Sequence, residues 1–141
     1  MMTKQGVIKK AGLMDELFFL YYEELDWSEK IKKAGFEIEV EPAAKIYHKE
    51  SLTVGEDSPI KTYYINRSRI LFMRRHKKTW QLMLFYIFLI FAVIPKNSLA
   101  FILKGKWANL KAFYRAIFWN LNNPAHQSTV KKVSGLSSVI H

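Results

Sequence analysis

The sequence predicts an α/β fold followed by basic, membrane-associating helices, and three observations point there. A helix-patterned segment, Glu23 to Ala34, runs into a strictly alternating one, Phe36-Glu37-Ile38-Glu39-Val40-Glu41. The 13 residues from Leu82 to Ile94 are uninterruptedly apolar. Charge is divided between two halves: all 12 acids lie in residues 1–60 with 8 Lys and Arg, and residues 61–141 carry 14 Lys and Arg and no acid. The net charge of +10 is thus a basic half outweighing an acidic one.

The chain's 141 residues suit one domain, and an apolar share of 50% suits a folded core. There is no cysteine, which excludes a disulfide framework and a thiolate metal site. An acidic half suits metal, proton or sugar-hydroxyl chemistry. A basic, aromatic half suits an anionic partner such as lipid headgroups. No RNP, KH or zinc-finger pattern is present, so nucleic acid is not the expected partner. No GxGxxG or P-loop supplies a nucleotide cradle.

Trp27, Ile31 and Ala34 recur at helical spacing. Glu23, Glu24 and Asp26 crowd the first turn of that helix, and Lys30, Lys32 and Lys33 its last, complementing the dipole. Gly35 is the expected stop. The alternation from Phe36 to Glu41 predicts a half-buried strand ended by Pro42, with a second short strand from Ala44 to His48. Residues 51–59 read as a loop. Ser58 and Pro59 then predict a capped helix start.

The run from Leu82 to Ile94 would be about 20 Å long as a helix, against a hydrocarbon core of about 30 Å. Extending it to Leu103 carries Pro95, Lys96 and Asn97 along, and a central lysine costs about 2.5–3.5 kcal/mol. An interfacial or re-entrant helix pair is therefore the expectation. Trp107, Leu110, Tyr114, Ile117, Phe118 and Leu121 form one face of a further amphipathic segment, the pattern of a helix lying in a membrane surface. Residues from 123 onward are polar and Ser-rich.

Several residues carry candidate chemistry. Glu23, Glu24 and Asp26 follow the aromatic run Phe18, Phe19, Tyr21 and Tyr22. They read either as first-turn acids or as carboxylates brought up to a pocket, where one can serve as a general base. His48 reads either as an ordinary strand-end histidine or as a ligand for a divalent metal. The basic block from Arg67 to Lys78 reads either as a solvated face or as a grip for phosphate.

Taken in order, these segments resemble the C-terminal half of the family-2 glycosyltransferases of GT-A fold, most closely the bacterial rhamnosyltransferase type. Gly12-Leu13-Met14-Asp15-Glu16 with Phe18-Phe19 is similar to the family's G-x-F-D-E-x-F-F. Tyr22-Glu23-Glu24-Leu25-Asp26 resembles its Y-x-E-D-x-D, and Gly35-Phe36, Pro42, Ala44 and His48 its G-[YF]…P-x-A…H. Tyr63-Tyr64…Arg67-Ser68-Arg69 resembles its Y-Y-x-x-R-N-R. The resemblance covers about Val7 to Arg75.

The resemblance implies a Rossmann-like catalytic portion over residues 1–75, membrane-associated helices over 76–122 and a polar tail over 123–141. It implies transfer of a sugar from a nucleotide-sugar donor to an acceptor hydroxyl, with divalent Mn or Mg. The acceptor would be a glycan or lipid-linked, as in surface polysaccharide synthesis at the cytoplasmic face of the cell membrane. Glu24, where the family usually has Asp, takes the position of the acceptor base, with Asp26 a supporting acid. His48 falls at a metal ligand, and Tyr22, Glu23 and Arg67 at acceptor or phosphate contacts. The family's donor half, with its D-x-D motif, would precede Gly12, where this chain has eleven residues. The expectation is a fragment that needs a separate N-terminal half chain. A non-enzymatic membrane-surface binding protein is the alternative.

Overall fold

The computed structural model describes residues 3–45 and 58–123, and these form helices and connecting loops with no strand among them. The expected α/β fold is therefore corrected to an all-helical one. Phe36 and Ile38 are half-buried and Val40 is 85% exposed, but none pairs its backbone in a ladder. An alternating segment becomes a strand only when a neighbour takes its backbone N–H and C=O groups. No such neighbour exists among the described residues. The expected strand from Ala44 to His48 lies largely outside the described residues, and Ala44 and Lys45 are irregular.

The first helix, α1 (Gln5–Ala11), ends at Gly12, whose φ of 79° lies in the region that favours glycine. The indole Nε1 of Trp27 donates to the Gly12 carbonyl at 2.9 Å, tying α1 to α2 (Glu23–Lys33). The stop at Gly35 is a Schellman motif. Gly35, at φ 87°, donates to the Lys32 carbonyl at 3.0 Å, and Phe36 reaches back to Ile31 at 3.2 Å. Buried Trp27 and Ile31 form the apolar face of α2.

Next comes α3 (Pro59–His76), capped as its sequence predicts: the Ser58 hydroxyl accepts from the Lys61 N–H at 3.1 Å, with Pro59 in the first turn. A corner at Lys77 and Lys78 turns the chain into α4 (Thr79–Phe88). A π-helical stretch, Leu89–Val93, continues directly into α5 (Ile94–Leu103).

The apolar run thus does not end at Pro95 and does not double back as a re-entrant pair. It belongs to one helix of 25 residues, Thr79–Leu103, about 37 Å long and apolar enough to cross a bilayer by length and composition. Pro95 removes one N–H and crowds the carbonyl four residues earlier. The wider π stretch sits directly before it, where that carbonyl belongs, so the helix continues through the proline.

Gly105, at φ 63°, makes the turn into α6 (Trp107–Asn122). The last helix packs along α3 with an unusual face. Its buried residues are Asn109, Ala112, Phe113, Ala116 and Asn120, spaced three and four apart. Small alanines let the backbones approach, and Phe113, fully buried, meets the Phe101 ring of α5 at 6.3 Å between centroids, while Ile70 and Leu71 are the buried apolar residues of α3. The asparagines bond across the helices: Asn109 Nδ2 to the Thr62 hydroxyl at 2.9 Å, and Asn120 Nδ2 to the Arg67 carbonyl at 3.1 Å. Trp107, Phe118 and Leu121, from the expected membrane face, are each more than half exposed. The buried stripe of α6 thus mixes asparagines and alanines with Phe113, while several of its large apolar residues stay outside.

Candidate functional site

Asp15 opens the site with a tight turn. Its carboxylate accepts the Leu17 N–H at 2.9 Å, and its carbonyl accepts that of Phe18, whose ring is buried. The chain then passes through Tyr21 and Tyr22 at φ 64° and 70°. Two consecutive non-glycine residues in the left-handed region carry a conformational cost of about 1–2 kcal/mol each. That backbone is held because Tyr22 is the N-cap of α2 and its hydroxyl accepts from Arg69 Nε of α3 at 3.2 Å. Ser68 beside it donates to the Leu20 carbonyl at 3.2 Å.

Behind this turn lies a buried ion network. Asp26 has no exposed surface. Its Oδ1 lies 2.8 Å from His76 Nε2 and 3.6 Å from Arg75 Nη1, and its Oδ2 3.0 Å from Lys30 Nζ. Arg75 also reaches Asp15 Oδ2 at 2.8 Å. Lys33 Nζ sits 3.1 Å from His76 Nδ1. Burial alone would push the Asp26 carboxyl up. Hydrogen bonds from His76 and Lys30, with the charges of both, outweigh it and hold the group below the usual carboxylate range. Asp15 is lowered likewise: burial opposes, and the Leu17 N–H, Arg75 and Lys30 prevail.

In front of the turn is an open depression of about 270 Å³ lined by Tyr21, Tyr22, Glu23, Glu24 and Leu25. Glu24 is exposed there, whereas Glu23 is half-buried, with Oε2 enclosed and without a hydrogen-bond partner.

The structure thus brings Tyr22, Glu23 and Glu24 together and sets Asp26 behind them, sealed from solvent. An exposed carboxylate such as Glu24 can take a proton from a hydroxyl; Asp26 can only hold the head of α2 in place. Arg67 goes elsewhere. It is buried between α3 and α6, with its guanidinium 3.9 Å from the Trp119 ring and 5.7 Å from that of Tyr64. His48 lies outside the described residues.

Among the described residues no three His, Asp or Glu side chains are grouped as a metal site, and Asp15 and Asp26 are engaged by Lys30, Arg75 and His76.

The sequence placed Arg75 and His76 only within the basic block from Arg67 to Lys78, whereas the structure shows them organising the site. Their one sequence signal is position: basic side chains in the last turn of a helix, where the dipole favours them. What they pair with lies 50 and 60 residues earlier.

Comparison of the chain with protein-family models, with curated proteins and with solved structures finds no match.

Proposed function

We propose that this chain is a membrane-seated helical module serving sugar transfer from a nucleotide-sugar to an acceptor hydroxyl in surface polysaccharide synthesis. Glu24 takes the acceptor's proton. The observation carrying this reading is the depression at the head of α2. There an exposed carboxylate stands beside two aromatic residues in left-handed conformations, on a turn pinned to α3 through Tyr22–Arg69 and Asp26–His76. The tyrosine rings offer faces for a sugar, and the depression is open enough for an acceptor hydroxyl to reach Glu24. The resemblance of residues 7–75 to the acceptor half of family-2 glycosyltransferases supplies the reaction class. The nucleotide-sugar is then held outside the described residues. No step is assigned to a metal.

Membrane seating is supported by the helix Thr79–Leu103. The core helix of a soluble protein is mostly covered, whereas only 6% of this helix's most apolar window is buried. Its exposed side carries Met83, Leu84, Ile87, Phe91, Leu99 and Leu103. On this reading the depression lies at a membrane surface, within reach of a lipid-linked acceptor.

The test uses membranes from source cells lacking the chain, restored with the wild type or with Glu24→Gln and fed radiolabelled nucleotide-sugars. The reading expects sugar incorporation that depends on the chain and falls about 10²–10⁴-fold in Glu24→Gln, the usual contribution of a general base. Equal incorporation with and without the chain overturns it.

A second reading, a non-enzymatic membrane-surface binding protein, is supported by the same exposed apolar helix and the acid-free half beyond residue 60. It expects Glu24→Gln to behave as wild type while charges placed on the helix abolish function.

A further inference from the structure

The helix Thr79–Leu103 contains a single charged residue, Lys96. A lone ammonium in an otherwise apolar helix is costly in a membrane and marks a functional position unless it has a partner. Lys96 lies about 10 Å from the helix end at the usual rise, short enough for its stem to lift the ammonium toward the interface.

Beside it is an open groove of about 340 Å³ lined by Arg69, Phe88, Ala92, Val93, Lys96 and Asn97. Arg69 comes from α3; the rest belong to the long helix. Two cations therefore meet at one groove that no acid lines, and the whole chain beyond residue 60 has none to offer. Arg69 is oriented there by the bond from its Nε to the Tyr22 hydroxyl at 3.2 Å. Asn97 adds an amide donor. Phe88, Ala92 and Val93 make the rest of the lining apolar.

Ala92 and Val93 belong to the π-helical stretch Leu89–Val93. Such stretches are rare and occur frequently at functional sites, because the wider turn re-aims side chains. Here it lies between Phe88 and Asn97, the two ends of the groove's lining on this helix.

We infer that this groove binds the phosphate group of a membrane lipid. Arg69 and Lys96 hold the phosphate oxygens, Asn97 donates to them, and the acyl chains leave along Phe88, Ala92 and Val93. A guanidinium and an ammonium suit a phosphate by fork and by point charge respectively. The volume takes a headgroup rather than a whole lipid. The inference rests on the membrane seating argued above and is independent of sugar transfer.

The full chain, reconstituted in nanodiscs of mixed phosphatidylcholine and phosphatidylglycerol, is released for native mass spectrometry and its retained lipids are counted. The wild type is expected to retain phosphatidylglycerol about tenfold over its share of the disc. Lys96→Gln and Arg69→Gln should each bring the ratio close to the disc composition. Lys104→Gln with Lys111→Gln, basic residues outside the groove, should leave it unchanged. Lys96 is exposed, so Lys96→Gln keeps the fold, checked by helical circular dichroism, even if Arg69→Gln does not.

A wild-type ratio equal to the disc composition, or equal losses in the Lys104/Lys111 control, overturns the site. Full displacement of the lipid by millimolar inorganic phosphate also overturns it, because the groove would then be a site for free anions. Failure of the wild type to float with any vesicle is a separate result, and it removes the membrane reading itself.

Discussion

His76 Nε2 lies 2.8 Å from Asp26 Oδ1, joining the last turn of α3 to the head of α2 across 50 residues of sequence. The carboxylate at the centre of this pair is fully buried and faces three cationic or protonatable side chains. Removing one partner of a buried ion pair leaves the others uncompensated, at about 3–5 kcal/mol. Asp26→Asn is therefore expected to lower the unfolding free energy by that amount, read by chemical denaturation at neutral pH. A change under 1 kcal/mol would show that the network does not hold α2 to α3.

The same network sets a pH dependence. Asp26 and Asp15 are both held below the ordinary carboxylate range, so the folded state takes up protons less readily than the unfolded one. Stability from these groups is fully present above the unfolded value, about 3.9. It is lost as pH falls through the lower folded values. Unfolding free energy of the wild type should be level from pH 7 to about 5 and drop below about 4. Asp26→Asn should drop less steeply over that acid range; an identical slope would assign the acid sensitivity to other groups.

Phe113 and Phe118 lie five residues apart on α6 with opposite fates, one fully buried and the other 57% exposed. Phe113→Ala opens a cavity and should cost about 3–5 kcal/mol. Phe118→Ala should stay within about 0.5 kcal/mol, as surface changes do. Denaturation of the two variants in detergent micelles compares them directly. Equal losses would mean that α6 uses its large apolar face for packing, contrary to the arrangement of Asn109, Ala112, Ala116 and Asn120.

Local signals were legible and long-range ones were not. Ser58 with Pro59 and the stop at Gly35 act within a few residues of themselves, so the sequence carries them whole. The alternation from Phe36 to Glu41 depends on a neighbour far away in the chain, and none of the described residues supplies one. The re-entrant pair was expected because Lys96 makes a continuous span to Leu103 costly, but the helix runs on through Pro95, with the π stretch before it taking up the crowded carbonyl. The acid cluster after the aromatic run was visible, but not that Asp26 turns inward while Glu24 faces out. Their separation by two residues puts them on different sides of α2, and only the position of α3 decides which side is covered.

Gly35→Ala tests the Schellman end of α2 separately from the ion network. At φ 87° an alanine is strained, although nothing lies within 4 Å of the position its Cβ would take. The expected loss is therefore conformational, about 1–2 kcal/mol, without any steric term. It should be independent of pH across the range where Asp26 and Asp15 titrate. A loss that grows with acid would mean that Gly35 also positions Lys30 or Lys33 in the network.

Phe91 is 76% exposed near the middle of the long helix, at the centre of its π-helical stretch. Water gives no reason for a phenylalanine there, and no other described part of the chain covers it. A bilayer does give one. An aspartate at the centre of a membrane helix costs about 2.5–3.5 kcal/mol, against a small gain for phenylalanine. Phe91→Asp should thus reduce vesicle partitioning of the full chain by at least about 70-fold, read by flotation over a lipid titration. The substitution lies on the exposed side, so helical circular dichroism should be preserved. Arg115→Gln, which removes a charge from α6 without touching the apolar helix, should change partitioning into neutral vesicles only slightly. If Phe91→Asp floats as the wild type does, the exposed face of this helix is not its membrane contact. The face would then have to be covered by protein, and cross-linking at Phe91 between copies of the chain would be the measurement to follow.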